Sequence, residues 1–375
     1  MSKCMTVRNF WLSLHKWSSL IAMLVMLVVF VSGLPLVFKA EIEYWLGYGT
    51  AEHQERAEMP LDSLVAAAEQ RRKDKVVQFI VWEDNKPGTV IMSMADTPDE
   101  APYHNISVLV SPYDGQIVND EPEPLAFFSD LHTQLLMGKG GAFFLGIIAI
   151  SLVLSLISGV MIYTPFAGRR PFGTVRNGKS KRAKWLDVHN VLGIIVFGWM
   201  LVVGGTGLIN SWGEYLVHFW RADQVAEMTR DYHNKPAPEK TQFGSVHQAL
   251  EIAKAPYPEM VPWFISMPGS MMSDAHHYTI YLRGGTSRTA QLVRPVLVDA
   301  VTQTITDSRE MPWYMKTLML SQPLHFGDYG GFLLKLIWFL FTLISTVVLI
   351  TGLYLWWLRR KQRYSADNWQ ELLES

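Results

Sequence analysis

The chain has 375 residues, 49% of them hydrophobic, and a mean hydropathy of +0.11, apolar for its length yet not apolar enough to lie wholly in lipid. A net charge of −1 and a pI near 6.8 exclude a globally basic nucleic-acid binder. The single cysteine, Cys4, excludes internal disulfides, an iron–sulfur cluster and a haem attached through C-x-x-C-H, so any cofactor must be held without thiolates.

In chain order, residues 10–38 form a first apolar span. It is expected to stay as a membrane helix, because it is long for a cleaved leader and no A-x-A site follows. Residues 39–125 are a polar segment of domain size, and residues 126–165 hold a helix end and a second span. A basic loop (166–184), a third span (185–212), a second polar segment (213–320), a helix end with a fourth span (321–358) and a tail (359–375) follow. Each apolar stretch has the ~20 residues that cross a bilayer as a helix. Lys3, Arg8 and Lys16, the loop residues Arg169, Arg170, Arg176, Lys179, Lys181, Arg182 and Lys184, and the tail residues Arg359, Arg360, Lys361 and Arg363 all fall on one side of the spans. By the positive-inside rule that side, with both termini, is cytoplasmic. The two polar segments are then extracytoplasmic, which in a Gram-negative cell means periplasmic.

Within the first polar segment, residues 61–72 have helical spacing. Strand candidates follow at 76–82, 89–94 and 106–110, with a turn over 111–115 into a strand at 116–118. The second repeats the order, with a helix at 243–253, strands at 261–267, 278–283 and 295–298, and a turn over 299–303 before 304–306. Each is expected to be one small α+β domain.

The two halves also match across the spans. Eighteen positions after His15 stands Ser32-Gly33, and eighteen after His189 stands Thr206-Gly207. Twenty-seven after His132 stands Ser158-Gly159, and twenty-seven after His325 stands Thr351-Gly352. Two parallel spacings argue for duplication of a unit made of helix, periplasmic domain and helix.

The run Val110-Ser111-Pro112-Tyr113-Asp114-Gly115-Gln116-Ile117-Val118 resembles the signature of a PepSY domain. Its pairing with spans bearing Leu14-His15-Lys16-Trp17, Asp130-Leu131-His132 and Pro323-Leu324-His325 resembles the PepSY-associated transmembrane family over nearly the whole chain. The resemblance implies an iron-regulated inner-membrane protein, similar to ferric-siderophore reductases that carry two b-type haems. The second copy departs from the pattern at Gln303, which stands where the turn glycine would be.

Ionisable residues beside a span are costly and read as functional. By topology His15 and His189 lie at the cytoplasmic ends of their helices, and His132 and His325 at the periplasmic edge. Two pairs at two depths suggest two six-coordinate bis-His haem irons suited to electron transfer, with Gly33, Gly159, Gly207 and Gly352 supplying room for the flat macrocycle. A single zinc or copper ion fits less well, since the two faces are about 27 Å apart along a helix of ~18 residues. The bland alternative is four interfacial histidines satisfied by backbone or water. The pairing also assumes that the second and fourth helices run unbroken through Gly140-Gly141 and Gly330-Gly331. Most of His53, His104, His218, His233, His247, His276 and His277 are expected to be solvated. Trp212, Tyr215 and His218 are weaker candidates for lining the outer site, and Lys16, Arg169 and Arg170 for meeting haem propionates.

Two haems across a bilayer imply electron flow from cytoplasm to periplasm. The cytoplasmic pieces have no room for a nicotinamide or flavin domain, so the donor is a partner, either quinol or a cytoplasmic reductase. The resemblance implies a ferric siderophore as oxidant, brought to the outer haem by Pro312-Trp313-Tyr314 and the edge around His325. Two other readings stay open: a PepSY-type regulatory protein that binds a peptide or protease, and a quinol-linked reductase of another periplasmic acceptor.

Overall fold

The computed structural model describes residues 2–49, 57–100, 105–164, 171–176, 180–286 and 289–374. Its helices in chain order are α1 (Ser2–Leu36), α2 (Lys39–Trp45), α3 (Leu61–Arg71), α4 (Ala126–Gln134), α5 (Gly138–Tyr163), α6 (Lys181–Ser211), α7 (Gly213–Trp220), α8 (Ala226–Met228), α9 (Val246–Lys254), α10 (Trp313–Phe326) and α11 (Gly331–Glu374). Its strands are β1 (Val76–Val81), β2 (Val90–Ala95), β3 (Ile106–Val110), β4 (Ile117–Asn119), β5 (Met260–Ser266), β6 (His277–Gly284), β7 (Val293–Asp299) and β8 (Ile305–Ser308). They gather into two units, one of residues 1–38, 127–212 and 321–375, the other of residues 39–126 and 213–320.

The first unit is a helix bundle. Among the described residues four stretches are long and apolar enough to cross a membrane: Val7–Leu36, Gly138–Tyr163, Lys181–Ser211 and Asp328–Lys361. Helix α1 packs on α5 and α11, and α6 packs on the same two, which sets α1 and α6 diagonally across the bundle. Ala22, Met26, Phe30, Ile148, Leu152, Val196, Met200 and Val348 fill its core. The outer face is equally apolar, with Leu24 65% and Leu333 69% exposed. A helix apolar on both faces suits hydrocarbon outside and packing inside.

The second and fourth spans are not continuous with the histidine-bearing turns that precede them. Helix α4 ends at Gln134, and Leu135 (φ 51°), Leu136 (φ 58°) and Gly138 (φ 57°) turn the chain before α5 begins. Helix α10 ends at Phe326, with Gly327 (φ 71°) and Gly331 (φ 68°) flanking the break before α11. The assumption of continuity holds through Gly140-Gly141, which lie inside α5, but fails between His132 and α5 and at Gly330-Gly331. In the first half the break falls ahead of Gly140-Gly141. A run of left-handed residues stops a helix, because each reverses the backbone hand that the hydrogen-bond ladder needs.

The second unit also departs from expectation. The two polar segments do not fold as separate small domains but share one antiparallel sheet of order β4-β3-β2-β1-β5-β6-β7-β8. The seam is β1 against β5, where Ile80 faces Ile265 and both are fully buried. Pairing these strands removes two exposed edges, each a row of unsatisfied N–H and C=O groups. Helices α3 and α9 contribute to the core with the strands. Asp62 of α3 receives Val246 N–H at 2.9 Å and Ser245 Oγ–H at 2.5 Å, so a carboxylate from one segment caps the helix of the other.

The turn before β8 keeps its conformation despite Gln303. That residue has φ 53°, against 71° at Gly115 in the first segment. Its side-chain amide donates to the Ala300 carbonyl at 3.2 Å, and its Nε2 would lie 2.7 Å from a Cβ placed on Gly244. A local side-chain bond offsets part of the left-handed cost of about 1 kcal/mol.

Candidate functional site

The four histidines share one mode of seating. Nδ1 of His15 lies 2.9 Å from the Ser155 carbonyl, that of His132 2.8 Å from Val29, that of His189 3.1 Å from Val348, and that of His325 3.0 Å from Val203. A carbonyl only accepts, so each Nδ1 carries a proton and donates it, and each Nε2 is left as a lone-pair donor for a metal. Among the described residues no hydrogen-bond partner stands at any of the four Nε2 atoms. The hydroxyls of Ser158, Thr351 and Thr206 lie 3.3, 3.0 and 3.3 Å from Nδ1 of His15, His189 and His325.

Each acceptor carbonyl lies four residues before one of the paired glycines, and the imidazole rests on that glycine. A Cβ would come within 2.8 Å of His132 at Gly33, 3.2 Å of His15 at Gly159, 3.1 Å of His325 at Gly207 and 3.4 Å of His189 at Gly352. Besides any room they leave for a macrocycle, the glycines take part in the packing between helices. They seat the imidazole of the neighbouring helix: α1 and α5 exchange His15 with Gly159, α4 returns His132 to Gly33 on α1, and α6, α10 and α11 repeat the exchange. Spacing revealed the residues, but their partners are set by packing, which spacing along one helix does not encode.

The structure brings two of the four histidines into ring contact. His132 and His325 have ring centres 6.1 Å apart and planes inclined by 60°. Two imidazoles sharing one metal through bonds of about 2 Å have ring centres about 6 Å apart, so this pair suits a metal between its Nε2 atoms. His15 is seated on α5 and His189 on α11. Along α1 the seats of His15 and His132 are separated by about 27 Å of helix, with the apolar core between them. Among the described residues no group of three or more His, Cys, Asp and Glu side chains converges as a metal site.

The weaker candidates divide. Trp212 stacks on Phe143 with ring centres 5.8 Å apart and donates to its carbonyl at 3.2 Å, a packing role. His218 is exposed beside Glu214 at 3.3 Å, and Tyr215 is 52% exposed. Tyr314 turns inward to Asp223 at 2.7 Å, while Trp313 is 78% exposed. Lys16 lies over the Trp17 ring at 4.3 Å. Arg169, Arg170, His53 and His104 lie outside the described residues.

His277 is not solvated as expected. It is fully buried, with Nδ1 2.7 Å from Asp274 and the Tyr232 ring edge-on at 4.5 Å. Burial pushes the Tyr232 hydroxyl up to about 12, helped by its bond to Asp299 at 2.6 Å. Sequence reading passed over a second cluster: Lys86, 3% exposed, lies 3.0 Å from Glu83 and 3.6 Å from Glu43, which is itself 2% exposed. Burial pushes the Glu43 carboxyl up, against the pull of Lys39 and Lys86. Lys39 also pairs with Glu123. Charges spread over residues 39–123 leave no local pattern, so only the fold reveals this cluster.

A bundle of four candidate membrane helices with paired histidines, together with an eight-stranded antiparallel sheet, defines a membrane protein. The chain belongs to the PepSY-associated TM region family, which matches residues 12–359, and no curated protein matches it.

Proposed function

We propose that this chain carries electrons across a bacterial inner membrane through two bis-His b-type haems, one held by His15 and His189 and the other by His132 and His325, and so reduces ferric siderophore in the periplasm. The observation that carries the reading is the fourfold seat, in which an Nδ1–H is tied to a backbone carbonyl, a glycine lies under the ring and Nε2 is left without a partner. Such an outer hydrogen bond fixes tautomer and ring direction, as metal-binding histidines require. Haem bound this way would supply one-electron transfer with no open coordination position.

The remaining work falls to the chain itself. The glycines let helices approach closely enough for an imidazole to cross between them. The apolar core between the two seats excludes water. The basic loop and tail orient the bundle with the His15–His189 seat toward the cytoplasm, and the equivalence of the two halves supports an origin by duplication. Electrons would come from quinol or a cytoplasmic reductase. Fe³⁺ prefers the hard oxygen ligands of a siderophore and Fe²⁺ is held far more weakly, so reduction also releases the metal.

The test is an absorption spectrum of purified protein, oxidised and reduced, for wild type and each His→Ala variant. Two low-spin haems are expected in wild type, with one lost per ligand pair. Reoxidation of the reduced protein on mixing with ferric siderophores, against a panel of other acceptors, identifies the oxidant. Protein without a Soret band, or one that binds a peptide or protease instead, would overturn the reading.

A further inference from the structure

We propose that Trp338 is the positioning residue for His325, holding one axial ligand of the outer haem in place across the break in its helix; the inference rests on the two-haem reading above. His325 lies in the last turn of α10, where main-chain carbonyls have no partner within the helix. Its carbonyl receives the Trp338 Nε1–H at 3.1 Å from the far side of the break, on α11. The same indole lies against Gly327, where a Cβ would meet the ring at 2.6 Å and where φ is 71°. The indole is fixed in turn by the edges of Trp199 and Tyr329, with ring centres 6.2 and 6.3 Å away. His325 is therefore tied twice, through its carbonyl to α11 and through Nδ1 to the Val203 carbonyl on α6. Together the two ties fix the direction of Nε2.

Among the described residues the first half shows no such tie. The position that corresponds to Trp338 by the interval from His132 to His325 is Leu145, which carries no donor. There the break is closed by backbone contact instead, since a Cβ on Gly141 would fall 1.7 Å from the Gln134 carbonyl oxygen. The pair His132–His325 thus has two differently held members, and a change at Trp338 acts on one haem only.

The experiment uses the full-length purified protein and compares Trp338→Phe, Trp338→Leu and Gly327→Ala with wild type. Electron paramagnetic resonance and potentiometric titration read each haem separately, the outer one being that lost in His325→Ala. Trp338→Phe, which keeps a ring on Gly327 but removes the N–H, is expected to retain both haems while shifting the low-spin signature and midpoint potential of the outer one. Trp338→Leu and Gly327→Ala are expected to turn part of the outer haem high-spin and to leave the inner signal unchanged. An unchanged outer signature in both tryptophan variants overturns the proposal. Loss of both haems together in Trp338→Leu, with Trp338→Phe unchanged, also overturns it, by showing a merely structural role. Wild-type protein without two low-spin haems defeats the two-haem reading itself, a separate result.

Discussion

A hydrogen atom in place of a methyl decides each histidine seat. At Gly33 even a Cβ would come within 2.8 Å of the His132 ring, and a branched side chain has no low-energy rotamer that avoids it. On the proposed two-haem reading, Gly33→Val is therefore expected to expel His132 and abolish the spectrum of the outer haem while the inner one persists, as read by reduced-minus-oxidised absorption. The opposite economy holds at Gln303, where a non-glycine residue occupies φ 53°. Gln303→Gly is expected to stabilise the sheet unit by up to about 1 kcal/mol, less the lost bond to Ala300, measured by chemical denaturation. Glycine and histidine were legible because both are unusual in their surroundings. The glutamine was legible as a departure, but its side-chain compensation was not, since that depends on Ala300 and Gly244.

Elements combine in two ways that local pattern does not dictate. Strands β1 and β5 come from opposite halves, and Ile265→Ala at their seam is expected to cost about 2–5 kcal/mol. Loss of protease resistance in both segments at one denaturant concentration would confirm that the sheet unfolds as a unit. The turn before β8 is expected to respond to pH as well. Burial alone would raise the Asp299 carboxyl, but the N–H groups of Thr302 and Val301 and the Tyr232 hydroxyl hold it below its ordinary value of 3.8. A lowered carboxylate contributes stability that is fully present above that ordinary value and is lost as pH falls through the lower folded value. Asp299→Asn is thus expected to flatten the acid limb of the stability profile, followed by circular dichroism between pH 5 and pH 2. The broken α4–α5 and α10–α11 joints could be suspected from their glycines, but Leu135 and Leu136 give no such sign, because their left-handed geometry closes the end of α4 through main-chain bonds to the Leu131 and Asp130 carbonyls and not through their side chains.

For the whole molecule, orientation is a matter of charge and reach. Single cysteines at Lys184 and at Gln303, in a chain whose Cys4 is replaced by serine, are expected to react with a membrane-impermeant thiol reagent on opposite sides of the membrane. Labelling of both from one side would break the assigned topology. Spans, basic loops, histidines, glycines and most strands follow from sequence alone, because helical rise, hydropathy and the two-residue pleat are periodic and local. Which imidazole rests on which glycine, how two segments close into one sheet, and how Trp338 reaches back to His325 were decided only by the tertiary structure. Each of those contacts joins residues on different elements, and its energy comes from close fit rather than from any repeat that a single strand or helix carries.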